Sequence, residues 1–553
     1  MRFFRNFFQL FFPYLLNSFL FWYTYIIHDR LCFWKIFNLF FPFHDKGGFL
    51  LKYGIIDIGS NTMRLVIYEQ SKSGRLRERE NVKIAARLRN HLTEDGVFTE
   101  EGLRVLLDGL LTFQDVTRFH RLHDVKCVAT ATIRQARNRD DIVRIVAERT
   151  DFRIRILSEY EEAYYGFLAV IQSTSFHEGI TIDIGGGSTE VTYFYNRELV
   201  DYHSFPFGAL SLKREFVAGD VPTDEELQTL RGYIEKQFQS LPWLKQRKLP
   251  IIAIGGSARN VVQVHQMLQN YPIAGIHQYE MNREHIVQVK KYLCALTFEQ
   301  LQKVEALSKD RADLIIPAVE VFQTLYETVD ATTFILSRKG LRDGIFYEQF
   351  GPIIFPSVLD ESFFELAQDY EVNTNHVQHV LKLVIQLFEQ MRALALFPLT
   401  GEDLVLLKRA THVFYLGQYV DEEASSQHTF YILANRTIDG LSHRDRVQLA
   451  LVASFKNKTL FKQYVQPFHT WFTRAEQKKL RFLGALLKFA YSLNDTKRNV
   501  VNRLQLELQQ ETIVIHIFCN QSFKAEEYQA EKHKKHVEKM LKRPILLQFH
   551  MEG

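Results

Sequence analysis

Apolar and polar positions make the same pattern twice. Residues 53–56 and 63–68 are apolar runs flanking a short polar turn, and residues 180–182 and 190–195 flank another. Each set reads as two strands of a hairpin. Around the first hairpin, helical spacing appears over 103–117, 140–148 and 159–172, with buried-strand runs over 125–130 and 153–157. Around the second, helices are predicted over 224–240 and 283–294, and a strand over 251–254 runs into a glycine turn at 255–257. From about 353 to 495 the period is almost wholly 3.6, for example over 376–397 and 403–419. The tail returns to strand over 512–518, then a basic helix carrying Lys532, Lys534, Lys535, Lys539 and Lys542, then a strand over 545–549. The pattern predicts two related α/β domains, 53–177 and 178–350, an all-α domain, 351–505, and a small basic α/β module, 506–553.

The two turns carry the chemistry. The first reads Asp57-Ile58-Gly59-Ser60-Asn61-Thr62 and the second Asp183-Ile184-Gly185-Gly186-Gly187-Ser188-Thr189. Glycine lets a backbone approach an anion closely, and adjacent N–H dipoles form a phosphate-binding concavity. Ser60, Asn61, Thr62, Ser188 and Thr189 add side-chain donors to the N–H groups of Gly186 and Gly187. A carboxylate at each strand end, Asp57 and Asp183, suits a metal ion that neutralises phosphate charge. Neither turn matches GxxxxGK[ST] or GxGxxG. Asp, Gly, Ser and Asn dominate ordinary turns too, so one such turn is weak evidence. Two in successive halves imply a pair of domains gripping one phosphate. Gly256 and Ser257 sit on the third glycine turn, and Glu161-Glu162 at a helix start offers one carboxylate to the cleft, since neighbours point about 100° apart.

Charge and composition narrow the setting. A net charge of +4 over 553 residues argues against a dedicated nucleic-acid binder. Four scattered cysteines fit a reducing compartment without a disulfide framework. The first fifty residues hold roughly a third of the 46 phenylalanines. Residues 7–27 are about long enough for one membrane span, behind Arg2 and Arg5. The preferred reading of 1–52 is a mis-assigned start, with initiation at Leu51 and a cytoplasmic protein; a membrane anchor through 7–27 is the alternative. A truncation beginning at Lys52 is then expected to be soluble and active.

Taken together, the first turn, Ala129-Thr130-Ala131-Thr132-Ile133-Arg134-Gln135-Ala136, Glu161-Glu162-Ala163, the second turn with Glu190, and Gly255-Gly256-Ser257-Ala258 resemble the exopolyphosphatase / guanosine pentaphosphate phosphohydrolase (Ppx/GppA) family. Phe207-Gly208-Ala209-Leu210 and the stretch 337–344 (SRKGLRDG) look like its remaining signatures. The resemblance implies duplicated ribonuclease-H-like domains of the actin and sugar-kinase superfamily. It implies Mg²⁺-dependent cleavage of the terminal phosphoanhydride of inorganic polyphosphate, or of the 5′ γ-phosphate of pppGpp. It assigns the catalytic base to Glu162 and a second catalytic role to Glu190, with Asp57 and Asp183 at the metal and Arg134 on a phosphate oxygen. The helical part resembles the family's HD-like extension, but Phe414-Tyr415 occupies the place of the His-Asp metal pair, and His428 stands alone. A structural or polymer-binding role is expected there.

A processive exopolyphosphatase leads the resulting expectations, because a helical domain and a basic tail suit a long polyanion. A pppGpp phosphohydrolase is the alternative within the family. A sugar-kinase-like phosphotransferase shares the fold but leaves Glu161-Glu162 and the Arg134 segment unexplained. A non-catalytic polyphosphate or alarmone sensor conflicts with the full set of acidic residues. A homodimer is kept as one option for assembly.

Overall fold

The computed structural model describes residues 52–70, 76–122, 124–350 and 357–552. The anchor reading over 7–27 lies outside them. Among the described residues no helix is long and apolar enough to cross a membrane.

The first sheet is built from β1 (Lys52–Ile58), β2 (Met63–Gln70), β3 (Leu76–Ile84), β4 (Val125–Ala129) and β5 (Ile154–Ile156), in the order β3-β2-β1-β4-β5. Both faces of β1 are covered, so it reads as an almost unbroken apolar run, KYGIIDI. It pairs antiparallel with β2 and parallel with β4. The second sheet repeats the plan with β6 (Gly179–Ile184), β7 (Thr189–Tyr195), β8 (Glu198–Phe205), β9 (Ile251–Ile254), β10 (Tyr279–Met281) and β11 (Phe334–Leu336). Its order is β10-β11-β9-β6-β7-β8, again a three-strand meander followed by parallel strands, β9 and β11, with β10 added antiparallel at the edge. β3 and β8 were not legible as strands, because each has one solvated, charge-rich face.

Helix Glu159–Ile171 leads from the first sheet to the second and opens on a capping box. Ser158 Oγ accepts from the Glu161 N–H, and the Glu161 carboxylate accepts from the Ser158 N–H at 2.8 Å. Helix Leu341–Phe350 lies against it, with Tyr165 Oη donating to Glu348 at 2.8 Å. The strand predicted at 251–254 is β9, but the turn predicted after it is instead the first turn of helix Gly255–Leu268, with Gly255 at φ +85°.

Helices fill residues 358–492. The helix predicted over 403–419 breaks: Gly401–His412 ends, Tyr415 adopts φ +51°, and a 3₁₀ turn, Leu416–Tyr419, follows. Tertiary contact overrides the period here, because the Gly417 N–H is drawn onto Thr429 Oγ1 at 2.9 Å. The last sheet contains β12 (Val501–Gln509), β13 (Thr512–Cys519) and β14 (Ile545–Met551), in that order. Helix Lys524–Leu541 makes the crossover between parallel β13 and β14. β12 runs through residue 505, and its Leu504 and Leu506 share one core with Leu487 of the helical region and Val537 of the crossover helix.

Candidate active site

The two hairpin tips close with the same bond. The Gly59 N–H donates to the Thr62 carbonyl at 3.1 Å, and the Gly185 N–H to the Ser188 carbonyl at 2.9 Å. The tips face each other so closely that a Cβ on Gly186 would lie 2.9 Å from Ser60 Cβ. Ser60 Oγ accepts from Thr132 Oγ1 at 2.8 Å, which ties the first tip to the segment before Arg134. Asn61 is 5% exposed, yet neither its Oδ1 nor its Nδ2 has a hydrogen-bond partner among the described residues. A buried amide left unpaired costs about 1–3 kcal/mol, and here it lies at the tip of the first turn. Thr189, expected to face phosphate, is fully buried and donates its hydroxyl to the Phe207 carbonyl at 2.7 Å.

Four carboxylates influence one another between the sheets. Asp57 and Asp183 end β1 and β6, and Glu190 stands directly across from Asp183 in the antiparallel register. Burial pushes the Asp183 carboxyl up to about 6, with Asp57 adding to the shift. Burial also raises Glu190, reinforced by Glu162 and Asp183, although Ser204 Oγ donates to it at 2.9 Å. Glu162 is pushed up to about 7, chiefly by burial, with Asp183 and Asp57 adding and Arg134 opposing. The capping box separates the adjacent acids: Glu161 caps its own helix and pairs with Arg155, so its carboxylate stays low, whereas Glu162 turns to Arg134. Arg134 donates to Glu162 at 2.8 Å and to the Leu157 carbonyl at 2.9 Å, both from Nη1. Each side chain of this pair keeps 14% of its surface exposed.

Arginines that the sequence reading did not single out supply the positive charge. Arg342 donates to Asp57 at 2.7 Å. Arg311 donates to Ser257 Oγ at 3.1 Å, and a Cβ on Gly256 would lie 2.5 Å from its Cζ. Arg259 and Arg64 are held below the ordinary guanidinium range by burial and then by Arg342, Arg64 to about 10. Burial lowers Arg311 too, against the pull of Asp310 and Asp183. Cations that destabilise one another in a buried space mark a site for an anion. Two signals were available for them. Arg64 faces Asp57 at the register position where the second hairpin places Glu190 against Asp183. Arg259 follows the glycine turn by three residues, and Arg342 lies inside the SRKGLRDG stretch.

The Asp183 shift has a consequence for stability. Its carboxyl holds a proton more tightly in the folded than in the unfolded protein, where the ordinary value is 3.8. Folding therefore loses stability as pH rises from about 4 to about 6, and the whole penalty stands above that window. Asp183→Asn, which never ionises, should raise Tm at neutral pH, with the gain vanishing below about pH 4. Thermal denaturation of both proteins across that range checks it; a gain undiminished in acid contradicts it.

In the helical region, Phe414 stacks on Tyr415 at 4.1 Å where the metal pair was sought. Among the described residues no group of three or more His, Cys, Asp or Glu is placed to hold a metal.

Known proteins share the sequence pattern and the fold. The sequence profile of the Ppx/GppA phosphatase family matches residues 66–351, and that of Ppx/GppA phosphatase domain III matches 358–535. The chain is 24% identical over 301 residues to Exopolyphosphatase 1 of Mycobacterium leprae, covering 53% of this chain and 88% of the relative. It is also 24% identical over 422 residues to the guanosine-5′-triphosphate,3′-diphosphate pyrophosphatase of Pseudoalteromonas translucida, covering 74% of this chain and 82% of the relative. The crystal structure of an exopolyphosphatase from Cytophaga hutchinsonii superposes with a TM-score of 0.50 at 22% identity, covering 54% of this chain and 97% of that one, and so shares its fold. With one family profile matching more than half of the chain and a second matching the helical region that follows, the chain belongs to the Ppx/GppA phosphatase family.

Proposed function

We propose that the protein is an exopolyphosphatase that hydrolyses the terminal phosphoanhydride of inorganic polyphosphate and releases orthophosphate. The observation that carries this reading is the meeting of two glycine-rich tips, an unpaired buried Asn61 amide and mutually repelling arginines in one cleft. The terminal phosphate binds at the two abutting tips, 59–62 and 185–188, where the backbone N–H groups of Gly186 and Gly187 donate to its oxygens and Asn61 Nδ2 joins them as the tips part. Arg64, Arg259, Arg311 and Arg342 hold the phosphates behind it. Glu162 accepts a proton from the attacking water while Glu190 orients that water. The new bond joins the water oxygen to terminal phosphorus, and the bridging P–O bond breaks in line with it, leaving the shortened chain as the anionic leaving group.

Asp57 and Asp183 suit Mg²⁺, which is commonly held by one or two carboxylates with the rest of its shell from water and phosphate oxygens. The Asp57 charge, which disfavours ionisation of Asp183, and a Gly255 whose Cβ would overlap Asp183 Oδ1 suit a cation there. When bound it neutralises phosphate charge.

A base pushed up to about 7 fixes the pH profile. kcat/KM should fall roughly tenfold per pH unit below that value and level off above it, because only ionised Glu162 accepts the proton. Arg134 favours the ionised form, so Arg134→Gln should move the acid limb to higher pH. A profile flat from pH 5.5 to 8 rejects Glu162 as base.

The pppGpp phosphohydrolase reading has one observation of its own: the relative that aligns over 74% of this chain carries that activity's name. Initial rates on long-chain polyphosphate and on pppGpp at one Mg²⁺ concentration decide between them. The exopolyphosphatase reading expects the higher kcat/KM on polyphosphate.

A further inference from the structure

Arg89 touches both hairpin tips and is separate from the four arginines that line the cleft. It lies on a 3₁₀ turn, Leu88–His91, that follows β3. Two backbone bonds fasten this segment to the first tip. The Arg87 N–H donates to the Asn61 carbonyl at 2.9 Å, and the Arg89 N–H to the Ser60 carbonyl at 3.0 Å. Arg87 adopts φ +44° to enter the turn, a left-handed conformation that a non-glycine residue keeps only where its surroundings fix it. The Arg89 side chain then crosses to the second tip. A Cβ on Gly187 would lie 3.7 Å from Arg89 Cδ and 3.8 Å from its Nε.

Gln135 holds the far end of the side chain, its carboxamide oxygen accepting from Arg89 Nη1. The same short segment supplies Thr132, whose hydroxyl donates to Ser60 Oγ, so one support orients both the tip and the guanidinium. Gln135 takes one of five guanidinium N–H donors. Arg89 is half-buried, so it still reaches solvent. Burial and the charge of Arg214 hold it below the ordinary guanidinium range, and among the described residues no carboxylate offsets them. Arg214 belongs to helix Ala209–Phe216, which is itself docked on the second tip: the Ala209 N–H donates to the Gly185 carbonyl at 2.9 Å. A half-buried cation beside a second cation, with no acid to neutralise it, is a place for an anion.

We propose that Arg89 binds the terminal phosphate of a chain held in the cleft, its guanidinium reaching a non-bridging oxygen of the group that the N–H groups of Gly186 and Gly187 hold. This assignment rests on the proposed placement of phosphate at the tips. It supplies a cation fixed by its backbone to one tip and lying by its side chain on the other, so both tips act on the same phosphate. Arginine suits the task because its planar fork can keep Gln135 and still present an N–H to a phosphate oxygen.

The test is calorimetric titration of inorganic triphosphate into the full chain carrying Glu162→Gln, which should not consume it. Adding Arg89→Gln should weaken binding about 10- to 150-fold, the range of a hydrogen bond to a charged group. Arg89→Lys should fall between the two. In a second arm, with Glu162 intact, Arg89→Ala should slow polyphosphate hydrolysis, and added guanidinium should restore part of the rate where urea at the same concentration does not. Triphosphate bound equally well by the Arg89→Gln chain would overturn the proposal and leave the exopolyphosphatase reading standing. Weakened binding in a chain whose parent hydrolyses no polyphosphate would uphold the proposal and reject that reading. Weakened binding with a lowered Tm and no rescue by guanidinium would overturn the proposal, and absence of triphosphate binding in every chain would overturn both.

Discussion

Glu162→Gln should lower the rate of phosphate release by roughly 10²–10⁴, the usual cost of losing a general base. The change keeps the shape of the side chain and its bond from Arg134 Nη1, so binding of polyphosphate should survive. It also removes one of the repelling carboxylates beside Asp183 and Glu190, which favours an anionic ligand. The expected outcome is a collapse in kcat with Kd unchanged or tighter, read by single-turnover kinetics and equilibrium binding. Glu161→Gln is the control. Glu161 sits at the capping-box position that Gln also serves, so the change removes only its partly exposed pair with Arg155 and should cost less than about 1 kcal/mol of stability and little rate. Near-parental activity in Glu162→Gln moves the base to Glu190.

Arg311→Ala should raise KM for polyphosphate about 10- to 150-fold, equivalent to the 1.5–3 kcal/mol of a hydrogen bond to a charged group. Gly256→Ala should do much the same from a different direction. Its new Cβ would lie 2.5 Å from Arg311 Cζ and must push the guanidinium out of the cleft. Since both changes remove one interaction, the double variant should be little worse than either alone. Additive losses in the double-mutant cycle would separate Gly256 from Arg311. Salt should matter less in every variant, because fewer counterions leave on binding.

Much of this was legible because the chemistry sits on hairpins, and a hairpin is a local object. Asp57, Asp183 and both glycine turns fall where apolar runs end, and no distant contact is needed to find them. The duplication was visible for the same reason. The Thr189 hydroxyl was misplaced because its partner, the Phe207 carbonyl, lies across a later loop. The arginines were missed because their roles come from convergence. Arg64, Arg259, Arg311 and Arg342 belong to four different elements, and only the fold makes them neighbours. The break at Tyr415 was hidden for a related reason: helical spacing continues to Tyr419 while the Thr429 hydroxyl draws the Gly417 backbone away. Glu161 and Glu162 could not be separated by spacing alone. The capping box at Ser158 separates them, and that motif is written in the sequence as Ser158-Glu159-Tyr160-Glu161.

The central claim is that the two tips and Asn61 together hold the terminal phosphate. Diffraction from crystals of Glu162→Gln soaked in inorganic triphosphate tests it directly. The predicted result is a terminal phosphate between residues 59–62 and 185–188, with the Asn61 amide within hydrogen-bond distance of its oxygens. Triphosphate ordered only elsewhere, for instance along the lysines of helix Lys524–Leu541, with Asn61 still unpaired, would contradict it.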